Sequence, residues 1–389
     1  MKKNIINLLK RNFSKFKIEG YVIPKNDEFF SEFDENNRLY KISNFSGSAG
    51  LAIITKKMNY LFVDGRYSLQ AKKESGKNFK IYEITKKLPK DIFKGIALGV
   101  DPKIITSSKI KNLFHKKTLI KKIDLNLIDL INSHKPLKKK QFFKLDDKIV
   151  GESKSSKINK ISNYLKKIRS DYLLITAPEN VAWTLNIRGG DNPHSPIPNC
   201  HLFIDKYKNF FLITEKSKTK KIIKEKVIKK DQLIELDNLK NFFETRKPGK
   251  ISIDHRTCSF FFEEILKKKF KIIKFDDPVY KLKSIKNDTE INNMLKAHHE
   301  DGLALTRFIY WIKHNKKKIS EIDAQNKLEK FRKFSKNYLF PSFNTIAGAG
   351  PNGAIVHYRA NKKNCRIIKK NDIFLFDSGG QYKYGTTDV

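Results

Sequence analysis

The sequence predicts an α/β protein built from three successive regions, and three observations carry that reading. Apolar runs of strand length alternate with helical periodicities over residues 1–135 and again over residues 152–278. A lysine-rich polar stretch, roughly residues 133–157, separates them and reads as a linker. From about Lys281 the texture changes to two helical patterns followed by strands and glycine loops, a third region over residues 281–389. The length of 389 residues fits two or three domains at about 100–200 residues each. With 39% hydrophobic residues, 29 Phe and 14 Tyr, the chain has enough apolar surface for packed cores.

In the first region the apolar runs predict strands over residues 21–24, 51–55, 60–64, 80–84 and 97–101, with helices over 67–74 and 107–115. The second region predicts a helix over 156–168, a buried strand over 172–177 and a short helix over 179–186. A Gly/Pro-rich loop over 188–199 follows, then strands over 201–205, 210–214 and 250–254 and a helix over 259–269. Residues 216–230 place Ile222, Ile223, Val227 and Ile228 among many lysines and read as one solvated amphipathic helix. In the third region Asn287-Asp288-Thr289-Glu290 has the form of a capping box and opens a helix to about His314; a second helix spans 320–334. Strands and glycine loops are expected over 343–348, 350–357, 372–382 and 385–389.

Charge and composition exclude more than they assign. The chain has 81 Lys+Arg against 41 Asp+Glu, a formal net charge of +40. Only 11 of the 81 are arginine, leaving 70 lysines. Readers of nucleic acid favour arginine for its bidentate and stacking contacts, so the charge reads as a compositional bias towards lysine and no specific nucleic-acid partner is expected. Three widely spaced cysteines (Cys200, Cys258, Cys365) give neither a disulfide framework nor a zinc cluster, which fits a reducing compartment. The opening residues lack the apolar run of about 7–15 residues that a signal peptide needs. No stretch approaches the roughly 18 apolar residues of a membrane span. A cytoplasmic protein without a membrane partner is expected.

The segment with most chemical content is residues 372–389. An apolar strand, Ile373-Phe374-Leu375-Phe376, delivers Asp377; Gly379, Gly380 and Gly385 permit a tight reversal; Thr386-Thr387-Asp388-Val389 returns. If the strands pair, Asp377 and Asp388 approach each other, and a divalent cation would relieve their repulsion. Alternatively, Asp377 opens an Asx turn and Asp388 is a surface residue. Upstream, Gly348, Gly350 and Gly353 lead to His357, which could reach a substrate or shuttle protons, or be incidental. That loop lacks the Gly-Lys-Ser/Thr ending of a phosphate-binding loop. In the first region Asp64-Gly65-Arg66-Tyr67 joins a strand to a helix. Asp64 reads as an N-cap, and Arg66 as a surface ion-pair partner or a group that binds a peptide carboxylate or carbonyl. His298 and His299 are adjacent on a helix, point about 100° apart and read as packing or surface residues.

Together these motifs resemble aminopeptidase P of the cytosolic type. Asp377-Ser378-Gly379-Gly380-Gln381-Tyr382 followed by Gly385-Thr386-Thr387-Asp388-Val389 is similar to that family's metal-binding hairpin. Further matches occur in the family's order. They are Ser46-Gly47-Ser48-Ala49-Gly50, Asp64-Gly65-Arg66-Tyr67, Ala182-Trp183 through Asn186-Ile187-Arg188-Gly189, Lys296-Ala297-His298 through Asp301-Gly302, and Gly350-Pro351-Asn352-Gly353-Ala354-Ile355-Val356-His357-Tyr358. The resemblance implies two creatinase-like N-terminal α/β domains followed by a pita-bread α+β catalytic domain. It implies release of the N-terminal residue from peptides with proline second, and two divalent metal ions, most commonly Mn2+, that activate a shared water. By position, Asp377 and Asp388 match metal ligands, His357 matches a substrate-binding, proton-handling histidine, and Arg66 matches a peptide-binding arginine. Proline-containing peptides are the implied substrates, and a homodimer in which Arg66 acts across subunits is the implied assembly.

Two departures stand out. The family's remaining ligands, a histidine and two glutamates, follow its hairpin, whereas this sequence ends at Val389. The pita-bread domain is therefore expected to be incomplete, C-terminally truncated, and this chain alone inactive. Tyr358-Arg359-Ala360 also stands where the family usually has a small residue and then proline. The alternatives are a non-catalytic pita-bread binding or chaperone protein, which the survival of both aspartates opposes, and a prolidase-like dipeptidase.

Overall fold

The computed structural model describes residues 2–31, 36–132 and 140–389. The chain divides into two compact units: residues 1–144, 155–191 and 197–283 form the first, and residues 145–154, 192–196 and 284–389 the second.

The first unit holds two six-stranded sheets of identical topology. In one, β1 (Gly20–Pro24) is central and wholly buried. It pairs antiparallel with β2 (Gly50–Thr55), which pairs antiparallel with β3 (Asn59–Val63); β4 (Lys80–Glu83) lies parallel to β3. On its other side β1 is parallel to β5 (Ala97–Val100), and β5 to β6 (Leu119–Lys122). The second sheet repeats this order. The central strand β7 (Tyr172–Ile175) pairs antiparallel with β8 (His201–Asp205), β8 antiparallel with β9 (Phe210–Ile213), and β9 parallel with β10 (Leu233–Ile234). The central strand is also parallel to β11 (Gly249–Ile253), and β11 to β12 (Phe270–Lys274).

The duplication extends to local chemistry. Asp101 follows β5 and accepts from the Lys103 amide at 2.9 Å; Asp254 follows β11 and accepts from the Arg256 amide at 2.8 Å. Both aspartates are buried and close the same turn at the carboxyl end of a parallel strand. The two halves meet through backbone bonds from Phe260 to the Ile105 carbonyl (2.8 Å) and from Phe261 to the Pro102 carbonyl (2.9 Å). An ion pair between Lys122 and Glu264 adds to the contact. Around Phe203 the second core is aromatic: Tyr172, Phe242, Phe243 and Phe270 all have ring centroids within 6.5 Å of it.

Several sequence expectations need correction. β6 and β12 are edge strands carrying lysines, Leu119-Ile120-Lys121-Lys122 and Phe270-Lys271-Ile272-Ile273-Lys274, so their apolar signal is halved and no strand was expected there. The single amphipathic helix expected over 216–230 is broken into a 3-10 turn (Lys216–Lys218), a short helix (Lys220–Lys224) and another turn (Lys230–Gln232). Lys226 adopts φ 55°, which ends the helix; Ile222, Val227 and Ile228 still reach the core from the separate pieces. The expected linker is also structured where it is described. Phe143–Lys144 pairs with Ile187–Arg188, Asp147–Val150 is a helical turn, and the helix Lys154–Lys167 has begun. Residues 133–139 of that expectation lie outside the described residues.

The second unit begins with the helix Asp288–His314, whose capping box is present as read: the Glu290 amide donates to Asn287 Oδ1 at 2.9 Å and the Asn287 amide to Glu290 Oε2 at 3.0 Å. A second helix, Glu321–Arg332, packs beside it around Ala304, Phe308, Ala324 and Leu328. Two antiparallel ribbons follow. β13 (Tyr338–Pro341) pairs with β16 (Gly380–Tyr382), and β14 (Ile346–Ala349) with β15 (Phe374–Asp377). The strand expected over 350–357 is instead the 3-10 segment Gly350–Ala354 and a turn. Among the described residues no helix is long and apolar enough to cross a membrane.

One buried acid of the first unit makes a test. Burial, reinforced by the charge of Asp254, pushes the Asp277 carboxyl up to about 6, against the opposing bonds from Asn180 and the Val279 amide. An unfolded aspartate titrates near 3.9, so between these values the native state binds the extra proton and gains stability as the pH falls. The urea midpoint of the parent relative to D277N should rise from pH 7 to pH 5; a flat difference contradicts the assignment.

Candidate metal centre

The hairpin at residues 377–389 is set by a few backbone bonds. Ser378 and Val389 exchange two N–H···O=C bonds of 2.9 Å, the Thr387 amide donates to the Gly380 carbonyl at 2.9 Å, and the Tyr382 amide to the Gly385 carbonyl at 2.8 Å. In this register Gly379 stands opposite Asp388. Side chains alternate along a strand, so Asp377 and Asp388 share one face as diagonal neighbours, while Ser378, Tyr382 and Thr387 face the other way. Gly379 is obligatory: a Cβ there would overlap the Thr387 carbonyl oxygen and Ser342 Oγ.

On the outer face, burial first and the Asp388 charge second raise the Asp377 carboxyl above its ordinary range, with His357 acting in the opposite direction. Neither carboxylate has a hydrogen-bond or ion-pair partner among the described residues. His357 is exposed and holds φ 54°, in the left-handed region, a conformation that clusters at functional positions.

On the inner face lies a network that is fully satisfied. Asp301, from the long helix, accepts from Arg332 Nε (2.7 Å) and Nη2 (3.1 Å), from the Tyr382 hydroxyl (2.8 Å) and from Thr387 Oγ1 (2.9 Å). Arg332, from the second helix, also donates to Ser378 Oγ at 3.0 Å. Both members of the ion pair are 1–2% exposed. Burial opposes the Asp301 charge, but Arg332 and the two hydroxyls outweigh it and hold the carboxyl below the ordinary range.

The loop before His357 depends on another buried acid. Glu321, fully buried at the start of the second helix, accepts from the Ala349 amide (2.7 Å), Asn352 Nδ2 (3.0 Å), the Tyr358 hydroxyl (2.9 Å) and the Arg366 amide (3.0 Å). The bond to Tyr358 uses the hydroxyl of the last residue of the matched segment Gly350–Tyr358. His194 bridges the Pro341 carbonyl (3.1 Å) and Asn344 Oδ1 (3.0 Å), and its own carbonyl accepts from Gln381 at 3.0 Å.

Arg66 lies in the first unit, where Asp64 caps the turn and chelates its guanidinium (Nη2 to Oδ2, 2.8 Å). His298 and His299 are exposed on the long helix. Among the described residues one group of three possible ligands lies within 4.8 Å, Asp254, His255 and Asp276. There the Arg256 guanidinium already serves as the cation, 2.9 Å from Asp254 and 3.4 Å from Asp276.

Residues 6–125 and 133–290 each match the Creatinase/Prolidase N-terminal domain, and residues 292–389 match Metallopeptidase family M24. A probable Xaa-Pro aminopeptidase P of Coprinopsis cinerea is 31% identical over 98% of this chain and 67% of its own length. This chain belongs to the aminopeptidase P family. The family's probable Xaa-Pro aminopeptidase P of Laccaria bicolor is 33% identical over 96% of this chain, which spans 61% of that relative's length. The fold coincides over the whole chain with 69% of the X-prolyl aminopeptidase of Caenorhabditis elegans, a cytosolic enzyme with a di-nuclear active site, at a TM-score of 0.89 and 24% identity.

For an aminopeptidase P family member the donor set is apt: two neighbouring carboxylates with no partner among the described residues offer hard oxygen ligands, which suit hard divalent cations. Sequence reasoning singled out these aspartates and gave no role to Asp301, Arg332 or Glu321. A signal existed for Arg332, since arginine is scarce in this lysine-rich chain and its fork suits bidentate burial. The repulsion itself is measurable. With divalent ions chelated, D377N should raise the melting temperature at pH 7. The gain should shrink as the pH falls through the raised native value and vanish below the ordinary carboxylate range, where the parent's Asp377 is protonated in both states. A pH-independent effect would argue against charge repulsion.

Proposed function

We propose that this chain provides the N-terminal domains and part of the catalytic domain of a cytoplasmic Xaa-Pro aminopeptidase, which hydrolyses the bond after the first residue of peptides with proline second. The observation that carries the reading is the pair of carboxylates, Asp377 and Asp388, on one face of the hairpin with no hydrogen-bond or ion-pair partner among the described residues, in a chain of this family. They would hold two divalent metal ions, with manganese the best match to oxygen ligands. Such a cation pair supplies an activated water and a Lewis acid for the scissile carbonyl.

The remaining roles fall to the chain's own side chains. His357 stands close enough to Asp377 to influence its charge and would orient the peptide and move a proton at the reacting bond. Glu321 holds the loop that carries it. Arg66, oriented by Asp64, would bind a peptide carbonyl or carboxylate; in a homodimer it would do so across the subunit boundary.

The test is release of the first residue from a peptide with proline second, against the same peptide with alanine second. It uses protein expressed from the complete reading frame and supplied with Mn2+. The proline peptide should be cleaved selectively, and chelation should abolish cleavage. D377N or D388N should each lower kcat/KM by more than about a hundredfold, beyond what loss of an outer-shell partner costs. Cleavage indifferent to chelator and to both substitutions would refute the reading.

A further inference from the structure

We propose that the buried Asp301–Arg332 pair is the positioning element of the metal centre, fixing the separation of Asp377 and Asp388 from the opposite face of the hairpin. The inference rests on the metal-site reading above and adds residues that act only through others. A two-stranded ribbon alone is marginally stable, yet metal ligands must be held within about 0.5 Å of their productive geometry. The first limb of the ribbon at residues 377–389 is also paired with Tyr338–Pro341 and Ile346–Ala349, whereas the backbone bonds of the returning limb, residues 385–389, run to the first limb, so its place depends on side-chain anchors.

The alternation of side chains places that anchor. Ser378 immediately follows the first proposed ligand and Thr387 immediately precedes the second, so both turn inwards where the ligands turn outwards. There they meet the same ion pair: Ser378 Oγ accepts from Arg332, and Thr387 Oγ1 donates to Asp301. Tyr382, the third inward residue, donates to Asp301 as well. Thr387 Oγ1 also accepts from the Gly380 amide at 2.9 Å, joining the two strands through the side chain. The pair spans both helices, so each ligand strand is tied to the same rigid body by a residue next to its ligand. Arginine is required for this geometry, because one guanidinium grips both carboxylate oxygens and still reaches Ser378.

Replacing Asp301 or Arg332 would leave a buried charge unpaired and risks unfolding the unit, so the test acts on Thr387. T387V keeps the shape and removes the hydroxyl; T387S keeps the hydroxyl. Two readouts are compared on protein from the complete reading frame. The first is amide exchange at Ser378 and Val389 without metal, which T387V should accelerate about five- to tenfold and T387S should leave near the parent value. The second is Mn2+ affinity by equilibrium titration, which T387V should weaken about ten- to a hundredfold and T387S should restore. Unchanged exchange at Ser378 and Val389 in T387V overturns the proposal whatever the metal does. So does a loss of Mn2+ affinity that T387S fails to restore. If the parent takes up no Mn2+ and D388N changes nothing, the metal-site reading fails, and the exchange data still decide the positioning claim.

Discussion

A buried carboxylate persists in a folded protein only when its charge is answered, and the second unit is arranged around that constraint. Asp301 and Glu321, one from each helix, are almost inaccessible and each gathers several donors. One fixes the hairpin, the other the loop of His357. Burying such charges costs several kcal/mol each unless every lone pair is satisfied, and here the satisfaction is supplied by residues far apart in sequence. The network therefore stabilises one particular arrangement of helices, ribbon and loop over near alternatives.

Against that background the Asp377–Asp388 pair is the exception. The same unit that answers Asp301 with four donors leaves two neighbouring carboxylates without any among its described residues. Their mutual repulsion costs stability in the absence of a cation and becomes binding free energy in its presence. The two faces of one ribbon differ: the inner face is hydrogen-bonded and ion-paired, while the outer carboxylates have no such partner among the described residues. The first unit follows the same economy in a different setting, since Asp254 is answered by Arg256 and backbone amides and so offers a cation nothing further.

What was legible in the sequence was local. Apolar runs of four to six residues mark the central strands, Asn287 and Glu290 announce a helix start three residues apart, and glycines flanking Asp377 and Asp388 imply the reversal that brings them together. What was not legible depends on convergence over distance. Thr387 meets Asp301 across 86 positions and Arg332 meets it across 31, and no periodicity links them. The broken helix at 216–230 failed for a related reason: the apolar stripe around Ile222 and Val227 is real, but a left-handed Lys226 lets separate pieces deliver it. Edge strands such as Phe270–Lys274 hid because lysines at positions 271 and 274 interrupt the apolar run.

The central claim is that Asp377 and Asp388 jointly hold a pair of metal ions. Anomalous diffraction from crystals of the complete protein grown with Mn2+ tests it most directly. The account predicts two peaks about 3.5–4 Å apart, both in coordinating contact with these two carboxylates. Peaks confined to other residues, or none at the hairpin at saturating Mn2+, would contradict it.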